Sequence, residues 1–210
     1  MSQEPDADDK ELLESICRGL RKSVAFWSPE SKVEREIYAV RTLLQHLGIE
    51  HDPNEIRPEP AEPPDINFRD ARFEIKEMLD EGRRRHDEYR KKLERALRAT
   101  SAREVMEQYT PTDLTFDEIN GRLVEILHDT SKHYAATVIN QLDLLVYANL
   151  LHRVVALDSR VPNSSSFAGY GWRSVSAVRG SMACVFFARA DAPDFLRSRV
   201  GKPLARPSVE

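Results

Sequence analysis

The chain has 210 residues, 40% of them hydrophobic and 31% charged, with a net charge of −4. That length is enough for one domain with a sizeable core, and neither an internal repeat nor a long low-complexity linker divides it. The two cysteines, Cys17 and Cys184, lie far apart in apolar surroundings, which speaks for reduced core thiols and against a disulfide framework or a zinc site.

Residues 1–9 are acidic and polar with no apolar run behind them, so they read as a disordered tail rather than a signal peptide or anchor, and the protein as cytoplasmic. The longest apolar run, residues 142–151, is broken by Asp143 and Asn149 and is too short to span a bilayer, so no membrane partner is expected. A single domain is expected over 10–200, with 201–210 as a second tail. Leu12, Leu13, Ile16, Leu20 and Val24 recur at helical spacing and mark an amphipathic N-terminal helix over 10–26. Ser28 then caps a second helix that begins at Pro29 and stops at Gly48, with Val33, Ile37, Val40, Leu44 and Leu47 as its buried stripe. At roughly 100° per residue Glu36 is angled closer to that stripe than Glu34 is. An ion pair with a neighbouring arginine is the ordinary use for such a residue.

Residues 49–64 combine acids with five prolines and form an extended approach, with a short strand near 55–58 that the prolines keep out of the centre of a sheet. The run from Pro63 to Lys76 follows. Two short stretches of period-two alternation flank the polar corner Arg69-Asp70, so the segment reads as an antiparallel hairpin. Phe73 and Ile75 point to one face, which leaves Glu74 and Lys76 together on the other. With Asp70-Ala71 as the two-residue turn, Asp65 falls opposite Lys76 and Asn67 opposite Glu74. Half-buried carboxylates stay ionised only when something offsets their desolvation, and two of them suit a hard divalent cation such as magnesium, with manganese as the alternative. Lys76 is placed to orient a bound water or to stabilise charge on a phosphate. Ordinary cross-strand pairing of Glu74 and Asp65 with Lys76 or Arg72 is the alternative on spacing alone.

Pro64-Asp65, a hairpin-sized gap and Glu74-Ile75-Lys76 resemble the signature of the PD-(D/E)XK nuclease superfamily. The run from Pro63 to Tyr89, with Arg83-Arg84-Arg85-His86 inside it, is similar to a small uncharacterised bacterial family described as endonucleases, without an assigned substrate. The resemblance implies an α/β (α+β) fold with a restriction-endonuclease-like core: a mixed central sheet flanked by helices, here with an extra N-terminal helix and a long charged helix. It implies hydrolysis of phosphodiester bonds in nucleic acid, DNA before RNA, with Asp65 and Glu74 as metal ligands and Lys76 as the residue that positions the attacking water. It further implies that the Ile75 carbonyl supplies another metal ligand and that Glu36 is the supporting helical acid. A catalytically inactive nuclease-fold binding or assembly protein, or a homodimer, is left open by the same residues.

After Lys76, residues 80–98 are densely charged, with Tyr89, Leu93 and Leu97 as a thin apolar stripe, and read as a long solvated helix. Arg83, Arg84, Arg85 and His86 are its candidate phosphate contacts, against a simpler role in surface ion pairs. Thr115-Phe116-Asp117-Glu118 fits a capping box, and the helix it opens carries Ile119, Leu123, Ile126, Leu127 and Tyr134 on one face. Residues 144–147 read as a buried strand added in parallel. The loop over 158–172 interleaves aromatics with Ser, Asn and Gly, suited to base stacking or to core packing. A second hairpin joins 175–178 to 182–187 through Arg179-Gly180, and a short helix follows Pro193.

Overall fold

The structure is a computed structural model that describes residues 7–61 and 63–205. In chain order it has α1 (Ala7–Phe26), α2 (Lys32–Leu47), β1 (Arg57–Pro58), β2 (Ile66–Phe68), β3 (Ala71–Leu79) and α3 (Arg85–Arg98). Then come β4 (Thr112–Leu114), α4 (Phe116–Thr130), α5 (Ala136–Ile139), β5 (Asp143–Asn149), β6 (Arg153–Val155), β7 (Ser174–Arg179), β8 (Met182–Ala188), α6 (Asp194–Arg197) and β9 (Pro203–Ala205). The fold is mixed α/β. The described residues gather into two compact units, one helical (to Arg35, and Glu81–Thr110) and one built on the sheet (Glu36–Asp80 and Pro111 onward).

The sheet unit carries seven strands in the order β1-β2-β3-β5-β7-β8-β9. β3, β5 and β7 run parallel, and the hairpins β2–β3 and β7–β8 add antiparallel pairs on either side. Because side chains alternate along a strand, each face has its own core. Leu144, Val146, Ala148, Val175 and Cys184 pack under α4 through Phe116, Ile119, Leu123 and Leu127. Phe73, Leu145, Val178 and Val185 pack under α2 through Ala39, Val40, Leu43, Leu44 and Leu47. Strands buried on both sides explain why 144–147 is apolar without alternation. β4 and β6 form a separate two-stranded parallel ribbon.

Local chemistry sets the boundaries. Gly48 ends α2 with φ of +68°, a conformation glycine adopts without a Cβ penalty. Thr115 and Glu118 close both halves of the capping box at the start of α4. The hairpin turn is Arg69-Asp70, since Phe68 pairs with Ala71 and Asn67 with Arg72, so the register is not the one drawn through Asp70-Ala71. Arg69 takes a positive φ of 51°, and its side chain is held by Glu55 at 3.2 Å, by the Glu50 carbonyl at 2.9 Å and over the Phe68 ring. Such ties offset the strain of a non-glycine residue in that region.

Other expectations shift as well. The first stripe residue of α2, Val33, is exposed, while Glu36 is buried and Glu34 exposed, as their helical angles imply. The charged helix starts at Arg85 rather than Asp80, because β3 runs on to Leu79, and within the helical unit it packs along α1. α4 ends at Thr130, so Tyr134 stands in the turn beyond it. Phe167 and Trp172 are fully buried, so the aromatic loop packs into the core. In the expected C-terminal tail, β9 pairs with β8, and residues 206–210, like 1–6, lie outside the described residues.

Candidate functional site

The hairpin's two strands differ in length, and that difference makes a site. β2 pairs only with Ala71, Arg72 and Phe73, so from Glu74 onward the outer edge of β3 runs past the end of its partner. Asp65, the residue just before β2, fills the gap. Its main-chain N–H donates to the Phe73 carbonyl at 2.9 Å, and its carboxylate Oδ2 accepts the Ile75 N–H at 2.7 Å. Because the N–H and C=O of a strand residue point to the same side, the Ile75 carbonyl lies on this edge too. The β1 segment braces Asp65 in turn. Glu59 N–H donates to the Asp65 carbonyl at 3.0 Å, and Asn67 Nδ2 donates to Glu59 Oε2 at 2.9 Å.

Glu74 projects to the α4 side and is 2% exposed; Asp65 is 4% exposed. Oε1 of Glu74 accepts from Lys76 Nζ and from the Tyr134 hydroxyl, each at 2.5 Å. The Tyr134 ring in turn meets Trp172 edge-on, with centroids 6.5 Å apart. Oε2 of Glu74 is buried and has no hydrogen-bond partner. A charged carboxylate oxygen in that position is unfavourable unless a donor or a cation completes it. The carboxylates and the strand carbonyl at this edge are hard oxygen donors, the type that magnesium prefers. Among the described residues no three His, Cys, Asp or Glu side chains form a protein cage. Magnesium, which keeps most of its waters, takes only one or two carboxylates.

The structure therefore groups Asp65, Glu74, Ile75 and Lys76 around one strand edge, with Asp65 beside Glu74 rather than opposite Lys76. Glu36 stands on α2, which packs on the Phe73 and Leu145 face, opposite the one bearing Glu74. Tyr38, half a turn away, meets the Tyr147 ring at 5.8 Å. In the helical unit, Arg83 Nε donates to Glu88 Oε2 at 2.8 Å with its side chain 6% exposed, and the Arg85 guanidinium stacks 3.6 Å from the Trp27 ring centroid. Both side chains are engaged within their own unit, while Arg84 is exposed and His86 half-buried.

Sequence reasoning missed two participants and, for Asp143 at the entrance of its strand, the partners it bonds. Tyr134 was placed on a helix face, whereas the turn after Thr130 swings its hydroxyl to Glu74. Glu59 was part of an unassigned acidic approach; only its registry beside Asp65 reveals it. Asp143, fully buried, takes Arg173 Nε at 3.1 Å and Nη2, the Ser174 hydroxyl at 2.8 Å and the Arg72 N–H at 3.0 Å. Arg173 also donates to the Asp70 carbonyl in the hairpin turn, at 2.8 Å. This clamp ties the hairpin to β5 and β7, and nothing in local sequence connects residues 70, 143 and 173.

Comparison with known proteins adds a family. No curated protein matches the sequence. A solved protein of unknown function from Pseudomonas aeruginosa strain PAO1, described as belonging to the monooxygenase superfamily, shares 25% identity and superposes with a TM-score of 0.67, over 93% of this chain and 94% of that one. Residues 8–208 match a family described as "Putative endonuclease, protein of unknown function (DUF1780)", and the chain belongs to that family.

Proposed function

We propose that the protein is a metal-dependent nuclease on a restriction-endonuclease-like core of the PD-(D/E)XK kind, hydrolysing phosphodiester bonds of nucleic acid, DNA before RNA, in the cytoplasm. The observation that carries this reading is the buried, unpartnered Oε2 of Glu74 on the strand edge that Asp65 borders. The family's description as endonucleases supports it. Asp65, Glu74 and the Ile75 carbonyl would hold magnesium or manganese, which when bound supplies Lewis-acid charge at the scissile phosphate. Lys76 holds the attacking water in line and stabilises charge that builds on the phosphoryl oxygens. Tyr134 fixes the Glu74 carboxylate through Oε1, and the dry surroundings of Glu74 strengthen each of these interactions. The monooxygenase description belongs to the Pseudomonas relative; the carboxylates, amine and phenol gathered here are ion-binding and proton-transfer groups.

The test is a panel of duplex and single-stranded DNA and RNA incubated with manganese, beside calorimetric titration of the metal. Lys76→Ala should lose cleavage by on the order of 10²-fold or more while keeping the heat of manganese binding. Equal heats in wild type and Asp65→Asn would remove the metal site. A second reading, an inactive nuclease-fold protein that binds or assembles, draws on the bonds each carboxylate already makes within the chain, Glu74 to Lys76 and Tyr134 and Asp65 to Ile75. It predicts no cleavage of any substrate in the panel, and light scattering would then show whether the chain forms a homodimer.

A further inference from the structure

The parallel strands carry a second cluster at their other end. β3 stops at Leu79, β5 at Asn149 and β7 at Arg179, side by side in the sheet. Two arginines donate to the main chain at these ends, and a third, Arg153, lies within electrostatic range of Arg179. Arg122 of α4 donates to the Leu79 carbonyl at 3.2 Å, Arg179 Nη2 to the Leu150 carbonyl at 2.9 Å, and Arg153 Nη2 to Glu118 Oε1 at 2.5 Å. Yet Nη1 of Arg179 and Nε of Arg153 are buried and have no hydrogen-bond acceptor.

The nearby acids carry bonds of their own. Asp80 Oδ2 accepts the Leu151 N–H at 2.8 Å, and Glu118 serves both Arg153 and its own helix cap. Burial pushes the Arg179 guanidinium below its ordinary pKa; Tyr147 and Asp80 oppose that shift, and the charge of Arg153 adds to it. Each guanidinium has a counter-charge in reach, Glu118 for Arg153 and Asp80 for Arg179, yet each keeps a buried N–H without an acceptor, which an anion would complete.

We propose that Arg153 and Arg179, with Arg122 beside them, form a binding site for a phosphate group at the carboxyl ends of β3, β5 and β7, where open α/β sheets commonly take ligands. A tetrahedral oxyanion presents separate oxygens that match the forked N–H groups of guanidinium bidentately, a geometry that a spherical chloride ion lacks. The site lies five residues along β3 from Glu74, roughly 16 Å at about 3.3 Å per residue, so it is separate from the metal proposal and stands or falls without it. Free phosphate, a mononucleotide and a nucleic-acid backbone all present this chemistry.

The experiment is thermal unfolding of the full chain titrated with sodium phosphate, with sodium chloride at matched ionic strength as reference, for wild type, Arg153→Gln and Arg179→Gln. Phosphate should raise the wild-type midpoint by several degrees more than chloride does, as a ligand that binds only the folded state must, and the increment should vanish in both variants. Arg153→Gln, on the short outer ribbon, keeps the test open should Arg179→Gln fail to fold, and ³¹P line broadening by wild type and by Arg153→Gln gives a second reading of the same site. An equal shift in phosphate and chloride, or an undiminished phosphate shift in Arg153→Gln, overturns the proposal. A labelled oligonucleotide separates the sources: weaker binding by Arg153→Gln points to backbone phosphate, and a response to inorganic phosphate alone points to a small free ligand.

Discussion

Asp65 bonds on both sides of Glu74, with its N–H on the Phe73 carbonyl and its carboxylate on the Ile75 N–H. It is thus both a candidate ligand and the residue that closes a strand edge. Two substitutions separate these roles. Asp65→Ala leaves the Ile75 N–H without its acceptor and should destabilise the fold by about 1–3 kcal/mol in urea titration. Asp65→Asn retains an acceptor oxygen but loses the charge, so it should cost little stability while weakening manganese binding by about tenfold or more. Equal stability losses in the two would leave the carboxylate a purely structural part.

Tyr134→Phe removes one of the two donors to Glu74 Oε1 while the ring keeps its place against Trp172. A hydrogen bond to a charged group contributes about 1.5–3 kcal/mol, so a stability loss of about 2 kcal/mol is expected with tryptophan near-ultraviolet dichroism unchanged. Stability equal to wild type would mean that the phenol does not hold the carboxylate.

Arg173→Met should be among the most damaging substitutions in the sheet unit. It strips the fully buried Asp143 of its cation, and removing one partner of a buried pair costs about 3–5 kcal/mol. Asp143→Asn combined with Arg173→Met should recover a good part of that loss, measured by chemical denaturation.

Acid should loosen the helical unit through Glu88. Burial works to raise its carboxyl, but the hydrogen bonds and charges of Arg83 and Lys92 outweigh it, so the folded value lies below the ordinary 4.5. A group depressed in the folded state stabilises above its unfolded pKa, and that contribution disappears as pH falls through the folded value. Unfolding free energy should therefore drop below about pH 4.5, and Glu88→Gln should flatten that part of the profile.

Cys184 is fully buried on β8, and burial pushes its thiol up to about 12. The thiolate is the reactive form, so native protein should leave Cys184 unmodified by a disulfide-exchange reagent at neutral pH, and urea should expose it. Rapid native labelling at that position would contradict the packing of the α4-side core.

Much of the architecture was legible because its signals are local. A glycine after a helical stripe, a capping box at Thr115 and apolar runs over β5, β7 and β8 each act within a few residues, and the elements appear where those signals stand. The inward angle of Glu36 was legible for the same reason, since helical periodicity alone decides it. Which sheet face its helix covers was not, because that depends on the β3-to-β5 crossover laying α4 on one side of the sheet while α2 covers the other.

By itself the sequence determined that an acid, an acid and a lysine would fall on one short hairpin, because strand alternation and turn chemistry are properties of neighbouring residues. Tertiary structure decided the rest. A turn at Arg69-Asp70 moved Asp65 beside Glu74, Tyr134 came from sixty positions away to hold one carboxylate oxygen, and Asp143 and Arg173 locked the hairpin to two further strands. Hydrogen bonds and close ion pairs form at about 3 Å in space whatever the separation along the chain, so only the packed sheet selects which distant groups meet.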